Sequence, residues 1–101
     1  MRKKISIQLD RERFLRLDLN AMSEFEDLTG KSLFTIGAQL QEARYIRALL
    51  FVSLQSAGEE VTLVEVGEMI DFENFEIVSN TLGKLMTASY GKSDESNDGK
   101  K

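Results

Sequence analysis

The chain has 101 residues, enough for one domain that buries roughly two-thirds of its unfolded surface. It contains no cysteine and no histidine, which excludes disulfides and thiolate chemistry and removes the commonest general base and transition-metal ligand. The net charge of −4 is uneven: residues 1–17 hold six basic and two acidic side chains, residues 18–90 four and twelve, and residues 91–101 three of each.

The basic start, Met1-Arg2-Lys3-Lys4, runs into an alternating segment and not an apolar one, so it does not read as a signal peptide. Ile5, Ile7 and Leu9 alternate with polar residues, as do Leu15, Leu17 and Leu19. Both runs have the period of a half-buried strand. A loop at Asp10-Arg11-Glu12 joins them in a hairpin that sets Ile7 opposite Leu15 and Ile5 opposite Leu17. Phe14 falls on the outer face. The basic side chains of the hairpin read as a solvated strand face.

Asn20 is the expected N-cap of a first helix. Met22, Phe25 and Leu28 form its inner side, Glu24, Glu26 and Asp27 its outer side, and Gly30 its left-handed end. Ser32 is expected to cap a second short helix with Leu33, Phe34 and Ile36 as its apolar side, ended or bent at Gly37. Residues 40–56 form the most apolar helix. One stripe is Leu40, Ala43, Ile46, Leu50 and Leu54; a neighbouring stripe is Tyr45, Ala48, Leu49 and Val52. Burial from two sides makes this the central helix. After the loop at residues 56–60, Thr62 and Glu65 form a capping box, with Val61 and Val66 at the staple positions. Leu63, Val66 and Ile70 give that short helix an apolar stripe. Asp71 is expected to cap a last helix near 72–89, whose stripe is Phe75, Val78, Leu82, Leu85 and Met86. Gly83 within it costs about 1 kcal/mol against alanine, and a close helix contact is the expected reason for it. Residues 91–101 contain no apolar side chain and are expected to be disordered. The predicted fold is therefore α+β, a single domain over residues 1–90 with an N-terminal β-hairpin packed on four to five helices.

No catalytic, cofactor-binding or metal-binding residue emerges, and no cofactor is expected. The run at 71–76, Asp-Phe-Glu-Asn-Phe-Glu, lacks the glycine and ligand alternation of a calcium loop. Glu24, Glu26 and Asp27 read as solvated carboxylates that partly serve the helix dipole. Gly91-Lys92-Ser93 lacks the upstream glycine and strand of a phosphate loop. A helix-turn-helix over 62–70 and 72–89 would turn Glu65, Glu68, Asp71, Glu73 and Glu76 toward phosphates with only Lys84 to help. Two faces remain as candidates for a protein partner: the second stripe of helix 40–56 and the outer surface of the hairpin. The hairpin also has open edges that could pair.

Three stretches carry a family resemblance. They are FLRLDLNAMSEFEDLTGKSL at 14–33, RYIRALLFVSL at 44–54, and VTLVEVGEMID at 61–71, the last followed by an amphipathic helix. In this order and spacing the chain resembles the tail assembly chaperones of long-tailed bacteriophages, small proteins encoded just before the tape measure protein. It departs from them at Asp10-Arg11-Glu12, where a glycine is common. The resemblance implies a binding protein without enzymatic activity. It would coat the tape measure protein in the cytoplasm of the bacterial host until tail tube protein polymerises, then leave, so that it is absent from the mature virion. The tape measure protein is the implied partner, with tail tube protein and self-association as further candidates and no nucleic acid or membrane. A longer form made by frameshifting is also implied, since Gly91-Lys92 and Gly99-Lys100-Lys101 can be encoded by purine runs. The alternatives are a structural or tail-completion component of the phage tail, and a small DNA-binding regulator.

Overall fold

The computed structural model describes residues 4–90, so the expectations for residues 1–3 and for the tail at 91–101 lie outside the described residues. The elements are β1 (Ile5–Gln8), β2 (Glu12–Leu15), α1 (Leu19–Thr29), a 3₁₀ segment (Gly37–Gln41), α2 (Ala43–Ser56), α3 (Leu63–Glu68) and α4 (Phe75–Tyr90). One antiparallel hairpin followed by four α-helices makes an α+β fold.

The hairpin forms with its apolar row inward, but two residues out of the expected register. Ile5 faces Leu15, Ile7 faces Arg13 and Gln8 faces Glu12. The turn is therefore Leu9-Asp10-Arg11. A two-residue slide keeps every side chain on its own face, so alternation alone does not choose between the registers. Side-chain chemistry does: the Asp10 carboxylate accepts from the Arg11 amide at 2.9 Å inside the turn and binds Arg13 just beyond it. β2 ends at Leu15. Leu17 stays buried, but Leu19 is exposed at the start of α1.

Asp18, not Asn20, caps α1. Its backbone is extended, and its carboxylate accepts from the Ala21 amide at 2.9 Å. Asn20 lies inside the helix. Ala21, Met22 and Phe25 are buried, whereas Leu28 is exposed. Steps of three residues fall behind the helical period by about 60° each, so Met22, Phe25 and Leu28 drift off the buried face. Gly30 ends the helix at φ 74°, its amide donating to the Glu26 carbonyl at 2.8 Å. The expected helix after Ser32 is a single turn. The Ser32 hydroxyl accepts from the Phe34 amide at 3.1 Å, and Gly37 at φ 61° interrupts any right-handed continuation. Leu33 and Ile36 are buried there, but Phe34 is exposed.

α2 is the central helix, packed against α1, β2, the 3₁₀ segment, α3 and α4. It begins three residues later than its hydrophobic pattern: Leu40 belongs to the 3₁₀ segment and Ala43 is exposed. Leu49, Leu50 and Leu54 are fully buried, together with Phe25 from α1, Leu15 from β2 and Leu85 from α4. Each such side chain is worth about 1.5–3 kcal/mol of transfer free energy. Phe25 meets the Tyr45 ring at 6.5 Å between centroids, tilted by 51°, which fastens α1 to α2.

The capping box of α3 is present in both directions. The Glu65 amide donates to the Thr62 hydroxyl at 3.1 Å and the Thr62 amide to the Glu65 carboxylate at 2.8 Å. Val61 and Val66 are both buried. The last helix starts later than expected. The Asp71 carboxylate accepts from the amides of Glu73 and Asn74 at 2.9 and 3.2 Å, and the Asp71 amide donates to Asn74 Oδ1 at 2.9 Å. This closes a turn at 72–74 ahead of α4. Val78, Leu82 and Leu85 are buried, while Phe75 is partly exposed. A Cβ at Gly83 would meet nothing within 4 Å, so no close helix contact accounts for that glycine.

Candidate partner-binding surface

Three of the hairpin's cations, Arg11, Arg13 and Arg16, are engaged with the rest of the chain. Arg13 sits on the inner face of β2, 7% exposed. Its Nε and Nη2 donate to the two carboxylate oxygens of Asp10 at 2.7 and 2.9 Å, and its Nη1 donates to Glu59 Oε1 at 2.9 Å. A buried guanidinium persists only when paired and hydrogen-bonded in this way. The Arg13 hydrogen bond holds the Asp10 carboxyl down at about 2, and the same bond raises the Arg13 guanidinium above its ordinary value. Glu59, from the loop after α2, also takes the Phe14 amide at 3.3 Å. The next outward amide, that of Arg16, donates to the Ser53 carbonyl at 3.0 Å. The Arg16 guanidinium reaches the Ser56 carbonyl and hydroxyl, placing a cation where the α2 dipole is negative. The free edge expected on β2 is thus tied to the C-terminal end of α2. The basic hairpin is a clamp and not simply a solvated face. Glu59 was invisible as its partner because nothing local in the sequence marks a contact 46 residues away.

The first candidate face closes. Tyr45, Ala48, Leu49 and Val52, the second stripe of α2, are all buried and offer a partner nothing. The outer surface of the hairpin remains open, with Lys4, Ser6, Gln8 and Phe14 exposed. Glu24, Glu26 and Asp27 are exposed on α1, and no group of three acidic residues among the described residues is placed to hold a metal ion. Among the described residues, no helix is long and apolar enough to cross a membrane.

A further surface lies between the first turns of α2 and the junction of α3 with α4. It is an open groove of about 640 Å³. Buried Ile46 and half-buried Ile70 supply apolar surface, Phe75 is 37% exposed, and Phe72 is 101% exposed. Arg44 and Arg47 line the α2 side. The Arg44 guanidinium stacks 4.9 Å from the Tyr45 ring centroid and pairs with exposed Glu42 at 3.0 Å. The Arg47 stem lies across α3 at Gly67, where an added Cβ would stand 3.3 Å from Arg47 Cδ. Glycine in mid-helix weakens α3 but makes room for this arginine. A contiguous apolar surface rimmed by charge is the usual form of a protein-docking site. The sequence pattern hid it because Phe72 sits in a turn and not on a helical stripe, and Arg44 and Arg47 lie 28 and 25 residues before it.

Compared with known proteins, the chain matches no family model, no curated protein and no solved structure.

Proposed function

We propose that this chain is a phage tail assembly chaperone that binds the tape measure protein in the host cytoplasm and keeps it soluble until tail tube protein replaces it. The observation that carries the reading is the ordered resemblance of residues 14–33, 44–54 and 61–71. These stretches fall on β2 with α1, on α2, and on the capping box with α3, with the 3₁₀ segment Gly37–Gln41 lying between the first two.

The physical task needs no reacting side chain. A long amphipathic helix exposes an apolar stripe that aggregates in water. A small protein that covers the stripe with an apolar groove removes that surface from water by helix-in-groove docking. A modest groove also permits release, since affinity follows the few well-buried anchors and not total area. The acidic body, four basic against twelve acidic residues over 18–90, adds mutual repulsion between loaded complexes.

The test is quantitative mass spectrometry of an infected-cell lysate and of purified particles. The protein is expected in the lysate in association with the tape measure protein and absent from the particles. Stoichiometric recovery in purified particles would contradict the reading in favour of a structural tail component.

A further inference from the structure

We infer that the groove between α2 and the α3–α4 junction is the docking site for the apolar stripe of an amphipathic helix whose flank carries carboxylates. The assignment of that helix to the tape measure protein rests on the chaperone reading; the chemistry of the groove does not.

An extended segment docking here would bring unpaired amides and carbonyls to a surface that cannot satisfy them. Strand addition needs a free sheet edge, and this groove is lined by α2, α3 and the residues leading into α4, with no strand among the described residues on its wall. A helix satisfies its own backbone and presents side chains at i, i+3 and i+4 as anchors. Phe72 points the same way. A phenylalanine 101% exposed makes no use of its apolar area within its own chain, whereas an anchor crossing the groove mouth would bury it between Ile46, Ile70 and its own side.

The arginines of the groove complement carboxylates on a partner. Residues 18–90 hold only four basic side chains, Lys31, Arg44, Arg47 and Lys84, and two of the four line this groove. Among the described residues Arg47 has no ion-pair partner. Among the described residues Arg44 pairs only with Glu42, both exposed, a contact of little energy that a partner's carboxylate can replace. On the opposite wall Asp71, which accepts from the amides of Glu73 and Asn74, is the one lining carboxylate among the described residues, and the two arginines outnumber it. Screening over about 8 Å makes these local charges, and not the net charge, decide which flank fits. The chain's own residues 91–101 are not the occupant, because they carry no apolar side chain to fill the groove.

The test uses the full chain and two labelled peptides of about 18 residues, long enough to be partly helical alone. Both carry a Leu/Phe stripe; one is flanked by glutamates and the other by lysines. Fluorescence anisotropy is read for the wild type, Phe72→Asp, Arg47→Glu and, on the hairpin's outer face, Phe14→Asp. Phe72 and Arg47 are exposed, so circular dichroism is expected to show an unchanged fold. The expected result is saturable binding of the glutamate-flanked peptide, weakened about tenfold or more by Phe72→Asp and by Arg47→Glu, as for an interface anchor. Phe14→Asp leaves it unchanged, and Arg47→Glu shifts preference toward the lysine-flanked peptide. Absence of saturable binding, or equal binding by wild type and Phe72→Asp, overturns the inference. The same variants are then co-expressed with the tape measure protein. Peptide binding at the groove without a tape-measure complex refutes the chaperone reading alone. A tape-measure complex that survives both groove variants refutes the groove assignment and leaves the chaperone reading standing.

Discussion

Glu59→Ala removes a loop side chain that holds the hairpin to the helical layer. The Glu59 side chain is 12% exposed and Arg13 9%, and their contact is 2.9 Å, so this is a mostly desolvated, charge-assisted hydrogen bond worth about 1.5–3 kcal/mol. The Phe14 amide contact at 3.3 Å is long, and Phe14 is exposed, so water can replace it at small cost. The Arg11 contact involves a side chain 63% exposed and adds little. Arg13 keeps its two bonds to Asp10 in the variant, which spares the full penalty of a buried unpaired charge. The expected loss is therefore about 2 kcal/mol, which for a domain of this size lowers Tm by about 8–16 °C. Differential scanning calorimetry of Glu59→Ala against its neighbour Glu60→Ala checks this. Glu60 is exposed, and its truncation is expected to cost less than about 0.5 kcal/mol. Indistinguishable midpoints for the two variants would refute the clamp.

Three further outcomes are expected. Gly83→Ala stabilises the domain by about 1 kcal/mol in urea denaturation, since a Cβ there meets nothing within 4 Å; a destabilised variant would mean that α4 packs differently at that turn. Phe25→Ala costs about 3–5 kcal/mol, because the ring is fully buried against α2 and Tyr45, and a loss below about 1 kcal/mol would contradict its place in the core. Asp10 ionises at about 2 in the fold against an ordinary 3.8. Its pairing therefore stabilises the fold fully above pH 3.8, and the contribution is lost as pH falls through about 2. The Tm gap between wild type and Asp10→Asn should be flat above that window and close below it, with an amplitude reduced because the side chain is half-exposed. A gap independent of pH would contradict the pairing.

The parts of the fold that were legible in the sequence are those set by local rules. The Thr62–Glu65 capping box, the left-handed Gly30 and the second stripe of α2 each follow from a few adjacent residues, and each is present, whereas the first stripe is present only from Ile46 onward. The failures occurred where two local solutions were nearly equal. Asp18 and Asn20 are both good caps, and the choice fell to the place where β2 releases the chain. Registers two residues apart bury the same row, and the choice fell to Arg13 with Asp10 and Glu59. Ser32 began a turn that read as a helix until Gly37 took positive φ. The candidate surface was less legible still. The second stripe of α2 had the composition of an interface and is core, whereas Phe72, solitary in a turn, gains meaning only when folding brings Arg44, Arg47 and Ile46 beside it.

The most direct test of the central claim is co-expression with the product of the next long downstream gene, followed by size exclusion of the soluble fraction. The account predicts that this product is soluble only when the chain is present and that the two co-elute as a stable complex. Equal solubility with and without the chain, and no shared peak, would contradict it.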